Sequence, residues 1–456
     1  MGKQPETFSI PLAKRRTTSW DMFATWVGAN ANNGTWYIGG VMAACGFLTA
    51  TKILVLSSAI AYVCLALVGY IGFKTGVSTM GVARASFGLR GSFLPSIINF
   101  TQFIGWTAVN TFIAATSVSY LLHDLLGWPL WGQDGGLKGM LCGIVVMSVL
   151  HIISIASGSR SVQLIERLGI ILVFVFVIWE SIIVFQHVSF EQIIHWQVPT
   201  KLKLSTGNAF DTVAAFNLAW VTAAADFSRF ARKKSAATTT SFAGALVGVL
   251  WFAMIGLIST ISIAVSSGNY DPNNSDPSSI ASRLGLGVLA LLVIILTSMT
   301  ANAVNLMAAG SALANIFAKL KLKYALWIVA GLATLVTFIP MILGSFLAAF
   351  TAFLDYIGMV LGPIISIIIV DYFFCAKQNY RVTDLTIPMG KYWYTKGVNW
   401  VAVLIWIIGA GVFFLLQQVS FLQSTIGATY PDMLLSGFLY WLIMNFLSKR
   451  GNKNVN

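Results

Sequence analysis

Hydrophobic residues form long runs along almost the whole chain, and short polar segments separate them. A helix needs about 20 mostly apolar residues to cross a bilayer, and twelve runs are close to that length or longer. Since 57% of the 456 residues are hydrophobic and only 9% are charged, a soluble globular protein is excluded. The pattern predicts an all-α polytopic membrane protein with twelve transmembrane spans, at 21–50, 53–73, 92–121, 137–157, 164–187, 207–230, 238–266, 281–309, 324–342, 346–372, 398–418 and 430–448.

Two of these spans carry polar interruptions at membrane depth. The first contains Gly28–Thr35, with three asparagines, and the sixth contains Phe216–Thr222. Irregular polar backbone persists in a membrane only where it is buried in protein or lines a cavity. Interrupted helices at corresponding positions of two halves indicate a transporter binding site. We therefore predict inverted repeats in spans 1–5 and 6–10, followed by two additional helices. A polar seam between packed helices is the alternative.

Basic residues are distributed unevenly between the predicted loops. The net charge is +13, and with a cytoplasmic N-terminus all but five of the 28 Lys and Arg residues fall in cytoplasmic segments. This asymmetry follows the positive-inside rule, so we expect a multi-pass protein of the plasma membrane with both termini in the cytoplasm. It also explains the charge without a nucleic-acid partner. The five residues on the outer side are Lys52, Lys138, Lys201, Lys203 and Arg283.

The loops are short, which predicts a single membrane domain. We expect a cytoplasmic N-terminal arm at 1–20, a ten-helix transport core at 21–372, a cytoplasmic loop at 373–397, helices 11 and 12 at 398–448 and a cytoplasmic tail at 449–456. The spans hold no His/Asp/Glu cluster placed for catalysis and no nucleotide-binding glycine loop. The sequence therefore predicts neither an enzyme nor a cofactor, and it shows no sign of an obligate protein partner.

Amide and tryptophan side chains lie within three of the spans. In the third, Gln102, Trp106 and Asn110 are four residues apart and share one helix face. In the sixth, Asn217 and Trp220 share another face. Indole rings stack on heterocycles and asparagine can bond the edge of a base, so the pattern favours a flat, neutral solute. Core packing is the equal alternative for each tryptophan. The eighth span adds Thr297, Ser298, Thr300, Asn302 and Asn305.

Several sequence motifs are recognisable along the chain. They are Tyr37-Ile38-Gly39-Gly40, the stretch from Ala85 to Pro95, the stretch from Ala225 to Phe230, Leu361-Gly362-Pro363 with Asp371-Tyr372-Phe373, and Gly397-Val398-Asn399-Trp400. Together they resemble the nucleobase–cation symporters, the family that includes cytosine, purine and hydantoin permeases. The resemblance covers most of the chain, and the motif that closes span six is most similar to the cytosine permease branch.

The resemblance implies the inverted-repeat fold of leucine-type sodium symporters and import of a nucleobase by cation symport with alternating access. It places a heterocycle between Trp106 and Trp220, with the Ala219 backbone beside it. Asparagine stands at two positions where hydantoin permease has glutamine, which argues against hydantoin itself. Allantoin, hydantoin or hydroxymethylpyrimidine are the alternative substrates, and an ion channel is the alternative class of protein. The implied amide contacts are Asn110, Asn32 and Asn305.

The resemblance also implies a sodium site made of backbone carbonyls at the first helix break and hydroxyls of span eight. Gly28, Ala31 and Thr300 match its positions, but Met299 stands where a serine is expected. A thioether is a poor ligand for a hard cation, and Ser298 replaces it only if the helix shifts by one residue. Proton coupling is therefore the alternative to sodium. Its ionisable candidates are Asp355 and Asp226.

Overall fold

The computed structural model describes the backbone of residues 9–317 and 320–453, and their side chains except at 154–170, 173, 187, 311, 314–315 and 449–453. The described backbone is helical, with two isolated β-bridges and no sheet. In chain order the α-helices are α1 Ser19–Asn30, α2 Asn33–Met42, α3 Phe47–Thr75, α4 Thr79–Phe87, α5 Phe93–Leu126, α6 Leu137–His187, α7 Phe190–His195, α8 Thr206–Val221, α9 Ala224–Ser228, α10 Ser241–Ser267, α11 Pro277–Arg283, α12 Gly287–Ile316, α13 Leu322–Val336, α14 Ile339–Leu343, α15 Phe346–Val370, α16 Trp400–Gln417, α17 Ser420–Ser424 and α18 Thr429–Lys453.

The first predicted span divides into two helices. α1 ends at Asn30 and α2 begins at Asn33, so the predicted interruption is confirmed at Ala31 and Asn32. Asn32 has an extended backbone, and its side-chain oxygen accepts the Thr35 N–H at 3.0 Å. Asparagine is a favoured N-cap residue because its side chain satisfies such an unpaired N–H group. The polar run in the sequence therefore restarts a helix inside the span.

The sixth span is also interrupted, at the far end of the polar segment predicted to break it. α8 and α9 are separated by Thr222 and Ala223. Asn217 does not break α8, because its Nδ2 group donates to the Val213 carbonyl one turn earlier and to Ser58 Oγ on α3, both at 2.9 Å. The amide is thus satisfied within the helix and by a neighbouring helix, and the interruption falls beyond it.

Both broken helices pack against long neighbours. α10 contacts α1 and α2, and α3 contacts α8 and α9. Gly39 of α2 lies against the Ala253 carbonyl of α10, and Gly256 of α10 lies against Trp36 of α2. Small residues allow membrane helices to approach this closely. The glycines therefore set the spacing between α2 and α10.

One continuous helix, α6, covers the predicted fourth and fifth spans. The sequence analysis places a loop between residues 157 and 164, whereas helix is assigned throughout Leu137–His187. The stretch contains no proline, the residue that most strongly ends a helix. The two ends of α6 have different neighbours: Met147 packs with Met299 of α12, and the Phe176 ring lies 5.3 Å from the Trp36 ring of α2.

Helices long and apolar enough to cross a bilayer occur throughout the described part of the chain. Each predicted span overlaps a described helix. Six helical stretches meet the length and hydropathy of a membrane crossing on their own, and shorter apolar helices lie at Leu137–Ile153 and Phe174–Gln186. The six are Phe47–Thr75, Ala236–Ser267, Gly287–Gly310, Leu322–Leu343, Phe346–Cys375 and Trp400–Gln417.

Gly39→Ala tests the close contact between α2 and α10. The added Cβ would overlap the Ala253 carbonyl group, and overpacking a tight interface costs about 1–3 kcal/mol. We expect a lower midpoint of thermal unfolding for the detergent-solubilised protein. Gly331→Ala on α13 is the matched control, because its added Cβ meets nothing within 4 Å. Equal midpoints for the two variants would show that the glycine contact is unimportant.

Candidate functional site

A cavity of about 270 Å³ lies where the two broken helices face α5 and α12. It is lined by the six residues predicted to bind substrate and the three predicted to bind sodium, and by no charged side chain among the described residues. The walls are formed by Ala24, Thr25, Gly28, Ala29, Ala31, Asn32, Phe103, Trp106, Asn110, Phe216, Ala219, Trp220, Phe227, Thr297, Thr300, Ala301, Val304 and Asn305.

Two indole rings form part of this wall. Trp106 of α5 packs edge-to-face with Phe216 of α8 and with Phe353 of α15, each at 5.2 Å between centroids. Trp220, near the end of α8, packs edge-to-face with Trp26 of α1 at 6.3 Å. Such contacts hold aromatic rings in fixed orientations. Within the described residues no ring contact joins the two indoles, and both line the cavity.

Unpaired polar atoms on the wall are available to a ligand. Asn110 Nδ2 donates to the Trp106 carbonyl at 3.1 Å, whereas Asn110 Oδ1 and Trp106 Nε1 are buried and have no hydrogen-bond partner. The Asn305 side chain is buried and makes no hydrogen bond to a described residue. Buried polar groups are nearly always paired. These atoms therefore offer one acceptor, one donor and one complete amide to the contents of the cavity.

Two of the predicted contact groups are already engaged by the protein. Asn32 accepts the Thr35 N–H and donates through Nδ2 to the Ala29 carbonyl at 2.7 Å. The Ala219 carbonyl accepts the Thr222 hydroxyl at 2.7 Å and Gln102 Nε2 at 3.4 Å. Both residues lie on the cavity wall, but their polar groups shape the helix breaks in this conformation.

The second break is held by amides from α5. Gln102 Nε2 donates to Thr222 Oγ1 at 2.7 Å and to Asn99 Oδ1 at 2.5 Å, and the Thr222 hydroxyl lies 2.7 Å from the same Asn99 oxygen. All three side chains are buried. The sequence analysis places Gln102 on the ligand-facing side of its span, whereas the structure shows it attached to the break. Asn99 is not among the predicted site residues.

A tyrosine on α3 joins the two broken helices. The Tyr62 hydroxyl lies 2.8 Å from Asn30 Oδ1 on α1 and 2.6 Å from Asn217 Oδ1 on α8. All three residues are completely buried. Buried hydrogen bonds of this kind are costly to leave unmade, so the network fixes the two helices relative to each other. The span of Tyr62 also contains Ser57, Ser58 and Tyr70, and no pattern in the sequence distinguishes Tyr62 from them.

The residues predicted to bind a cation all line the cavity. Gly28 belongs to α1 and its carbonyl accepts the Ala31 N–H at 3.1 Å; Ala31 belongs to the first break. Thr300 Oγ1 donates to the Thr297 carbonyl at 2.8 Å, which leaves its oxygen lone pairs able to accept or to bind a cation. Backbone and hydroxyl oxygens are the ligands that hard cations prefer. The donor set present therefore fits such an ion.

Met299 and Ser298 face away from this cation site. Met299 packs against Met147 of α6. Ser298 Oγ accepts Asn33 Nδ2 at 2.9 Å and does not line the cavity. In this conformation Ser298 therefore does not supply the hydroxyl group that the family has at the position of Met299. Thr297 is the further hydroxyl of α12 on the cavity wall, and it contacts the same Asn33 amide at 3.0 Å.

Neither ionisable candidate from the sequence lies at the cavity. Asp226 on α9 accepts the Thr79 N–H at the start of α4, at 3.2 Å. Asp355 lies on an exposed face of α15. Both carboxyl groups, the candidates for proton coupling, therefore lie away from the cavity.

The cavity is open toward one side of the molecule. Its wall extends along α1 to Thr25 and to the exposed Ala24. On the opposite side, Phe350 and Phe353 of α15 pack against Trp106 at 6.2 and 5.2 Å. The cavity is therefore reached from the side where α1 begins and is covered on the side where α15 begins.

Sequence comparison finds permeases that match nearly the whole chain. It is 26% identical over 473 residues to the allantoin permease of Bacillus subtilis (strain 168), which covers 95% of this chain and 92% of that protein. It is also 26% identical over 478 residues to the purine-uracil permease NCS1 of Arabidopsis thaliana, covering 96% and 77% of the two chains.

Solved structures of Mhp1, a nucleobase-cation-symport-1 family transporter, have the same fold. The inward facing conformation superposes with a TM-score of 0.79 at 18% identity, covering 98% of this chain and 96% of the other. A closed conformation with bromovinylhydantoin bound gives 0.76 at 17% identity. These matches confirm the predicted all-α inverted-repeat fold with interrupted first and sixth spans.

The sequence model of one family spans almost the entire chain. That family is described as permeases for cytosine/purines, uracil, thiamine and allantoin, and its model matches residues 9–443. The resemblance carried by the sequence motifs is thereby confirmed. Together with the apolar helices, the match shows a multi-pass membrane transporter, and the chain belongs to this family of nucleobase and allantoin permeases.

Proposed function

We propose that the protein imports a flat, neutral nitrogen heterocycle of the nucleobase type by cation symport. The observation that carries this proposal is the cavity at the two helix breaks, which has Trp106, Trp220 and three asparagines on its wall and no charged side chain among the described residues. Indole faces stack on heterocyclic rings, and amides bond the ring edges. A charged substrate would lack a counter-charge in this cavity.

Cytosine or a purine is the substrate that we favour, and allantoin, hydantoin or hydroxymethylpyrimidine is the alternative. The unpaired Asn110 Oδ1 can accept a hydrogen bond from an N–H group on the edge of such a ring. Asn305 can supply both a donor and an acceptor to a second edge. The relatives named for allantoin, purine and uracil carry substrates with such edges.

Alternating access explains why the cavity is open on one side only. A channel needs a continuous path, whereas here Trp106, Phe350 and Phe353 cover the side where α15 begins. With both termini in the cytoplasm of a plasma-membrane protein, as the positive-inside rule favours, the open side is cytoplasmic. The conformation described is then inward-facing, and import ends with release through the opening along α1.

Sodium is the coupling ion that we favour, and the proton is the alternative. Gly28, Ala31 and Thr300 would hold the ion with oxygen atoms next to the substrate cavity. A broken helix exposes carbonyl oxygens that can coordinate a cation at membrane depth. Bound there, the ion would hold the break and α12 together and so support the substrate wall.

Removing either indole should weaken substrate binding. Stacking on an aromatic side chain is worth about 1–3 kcal/mol per base, so Trp106→Ala and Trp220→Ala should each lower the affinity about 10- to 100-fold. Binding of radiolabelled cytosine, hypoxanthine, uracil and allantoin to purified protein measures this. Phenylalanine at either position should retain part of the affinity. Trp327→Ala, on an exposed face of α13, is the control. If the two cavity variants lose no more affinity than this control, the ligand does not stack between the two indoles.

Asparagines with unpaired atoms should determine which heterocycle is preferred. Asn110→Ala and Asn305→Ala each remove a partner from a buried edge of the ligand, at about 1–3 kcal/mol for a group left unsatisfied. Ligands that use that edge lose most, so the ranking in a competition assay should change. Asn269→Ala, in an exposed outer turn, should leave the ranking as it is. A uniform loss for every ligand would assign both cavity residues a purely structural role.

Sodium should tighten substrate binding if it is the coupling ion. By linkage, substrate must then tighten sodium binding by the same factor. Thr300→Ala should reduce both effects together, and Thr300→Ser should restore them because it keeps the hydroxyl. The measurement is affinity in sodium against choline at constant pH. An affinity indifferent to sodium, with uptake that collapses when the pH gradient is dissipated, would instead support the proton.

A further inference from the structure

A completely buried carboxyl group lies outside the cavity, near the end of α6. Glu180 is 0% exposed; Ser259 Oγ of α10 donates to its Oε1 at 2.6 Å, and its Oε2 has no partner. Glu180 lies about 10 Å before the end of α6, at 1.5 Å per residue, within an apolar helical stretch. An unpaired carboxylate is very costly in such surroundings. A protonated carboxyl group avoids this cost because it is neutral.

Other unpaired polar groups lie between Glu180 and the turn that follows α10. Thr260 is the neighbour of Ser259 on α10, and its Oγ1 is buried without a partner, as is Ser275 Oγ. The two residues meet at Gly40 of α2, since a Cβ placed there would lie 3.0 Å from Thr260 Oγ1 and 3.0 Å from Ser275 Cβ. Ser275 directly follows the short surface helix Pro272–Asn274. Buried polar side chains thus extend from the surface toward the carboxyl group.

Among the side chains that the structure describes, none forms an ion pair with Glu180. α10 and α12 contain no titratable residue. The other helices and the turn contribute groups that make no ion pair with Glu180 within the described residues. These groups are Tyr37 on α2, Tyr120, His123 and Asp124 on α5, Glu191 and His195 on α7, Lys323 and Tyr324 on α13, Tyr270, Asp271 and Asp276 in the turn after α10, and Lys138, Cys142 and His151 earlier on α6. Arg160, Glu166, Arg167 and His187 also belong to α6, at positions whose side chains are not described.

We propose that Glu180 is a proton-binding site whose occupancy is linked to the change of conformation. In the structure described, α6 and α10 seal the carboxyl group and keep it protonated. When α10 separates from the last turns of α6, water enters, the O–H bond breaks, the proton passes to water and the carboxylate remains on Glu180. Because the two conformations hold this proton with different affinity, protons shift the population between them. This proposal rests on the alternating-access function proposed above and adds a proton to its ion cycle.

The expected response is a separation of α6 from α10 that depends on pH and needs no substrate. Spin labels at Gln186→Cys and Ser266→Cys report the distance between the exposed ends of the two helices, in protein whose Cys45, Cys64, Cys142 and Cys375 are replaced by serine. For protein in nanodiscs, double electron–electron resonance should show a single short distance between the labels at about pH 5. Toward about pH 8, a growing fraction of molecules should show a longer distance. Glu180→Gln cannot lose a proton, so it should keep the short distance throughout.

Two further variants make the result decisive. Glu191→Gln is the same substitution at an exposed carboxylate on α7 and should respond like the unsubstituted protein. Ser259→Ala removes the hydrogen bond that holds the protonated carboxyl in the sealed state. It should therefore move the midpoint to lower pH, by up to about one pH unit for one net hydrogen bond. If Glu180→Gln does not fold, this shift still tests the site.

Either of two results overturns the proposal: a distance that does not change with pH in the unsubstituted protein, or a change that Glu180→Gln or Ser259→Ala leaves as it is. Neither result affects substrate binding between the two indoles. That binding is measured separately at constant pH, so failure of the proton site and failure of the proposed transport function are distinguishable.

Discussion

Backbone N–H and C=O groups that lose their helical partners in hydrocarbon cost several kcal/mol each unless other groups satisfy them. Two helices of this protein are broken at membrane depth, and polar side chains supply the missing partners. Asn32 caps the new helix after the first break. Gln102 and Thr222 bind the Ala219 carbonyl before the second. The arrangement of helices around the cavity depends on these side-chain hydrogen bonds, which replace the backbone hydrogen bonds of a regular helix.

The polar side chains near the two breaks differ in whether their hydrogen bonds are made within the protein or remain unmade at the cavity. Asn32, at the first break, makes hydrogen bonds to the protein through both its side-chain oxygen and its side-chain nitrogen. Asn110 on α5 keeps its Oδ1 unpaired at the cavity wall, and Asn305 on α12 lines the same cavity. Asn33 ties the start of α2 to Thr297 and Ser298 on α12. Polar groups near a helix break can therefore bind a ligand only if they are not already paired with the groups that the break exposes.

Much of this site could be predicted from the sequence because its residues repeat at helical spacing. Trp106 and Asn110 share a face of α5, and Trp220 lies near the end of α8, inside a span that polar residues interrupt. The break in that span falls beyond Asn217, since an asparagine can be satisfied inside a helix. Composition alone cannot distinguish the two outcomes. The roles of the site residues remain predictions, because the fold shows where they lie and not what they bind.

Partners contributed by distant spans were beyond prediction. The roles of Tyr62 and Glu180 depend on helices about 150 and 80 residues away in the chain, at Asn217 and Ser259. The rotation of α12 about its axis could not be predicted from the sequence either. Its 3.6-residue period turns Met299 toward α6 and Thr300 toward the cavity, which a position-by-position comparison with a family does not reveal.

A structure of the protein with a heterocycle bound tests the central claim most directly. Crystals or cryo-electron microscopy particles prepared with saturating cytosine, and in parallel with allantoin, would locate the ring. The account predicts a ring held between Trp106 and Trp220, with polar edges at Asn110 and Asn305. A ring seated elsewhere, for example in the apolar cavity of about 290 Å³ between α5, α14 and α15, would contradict it.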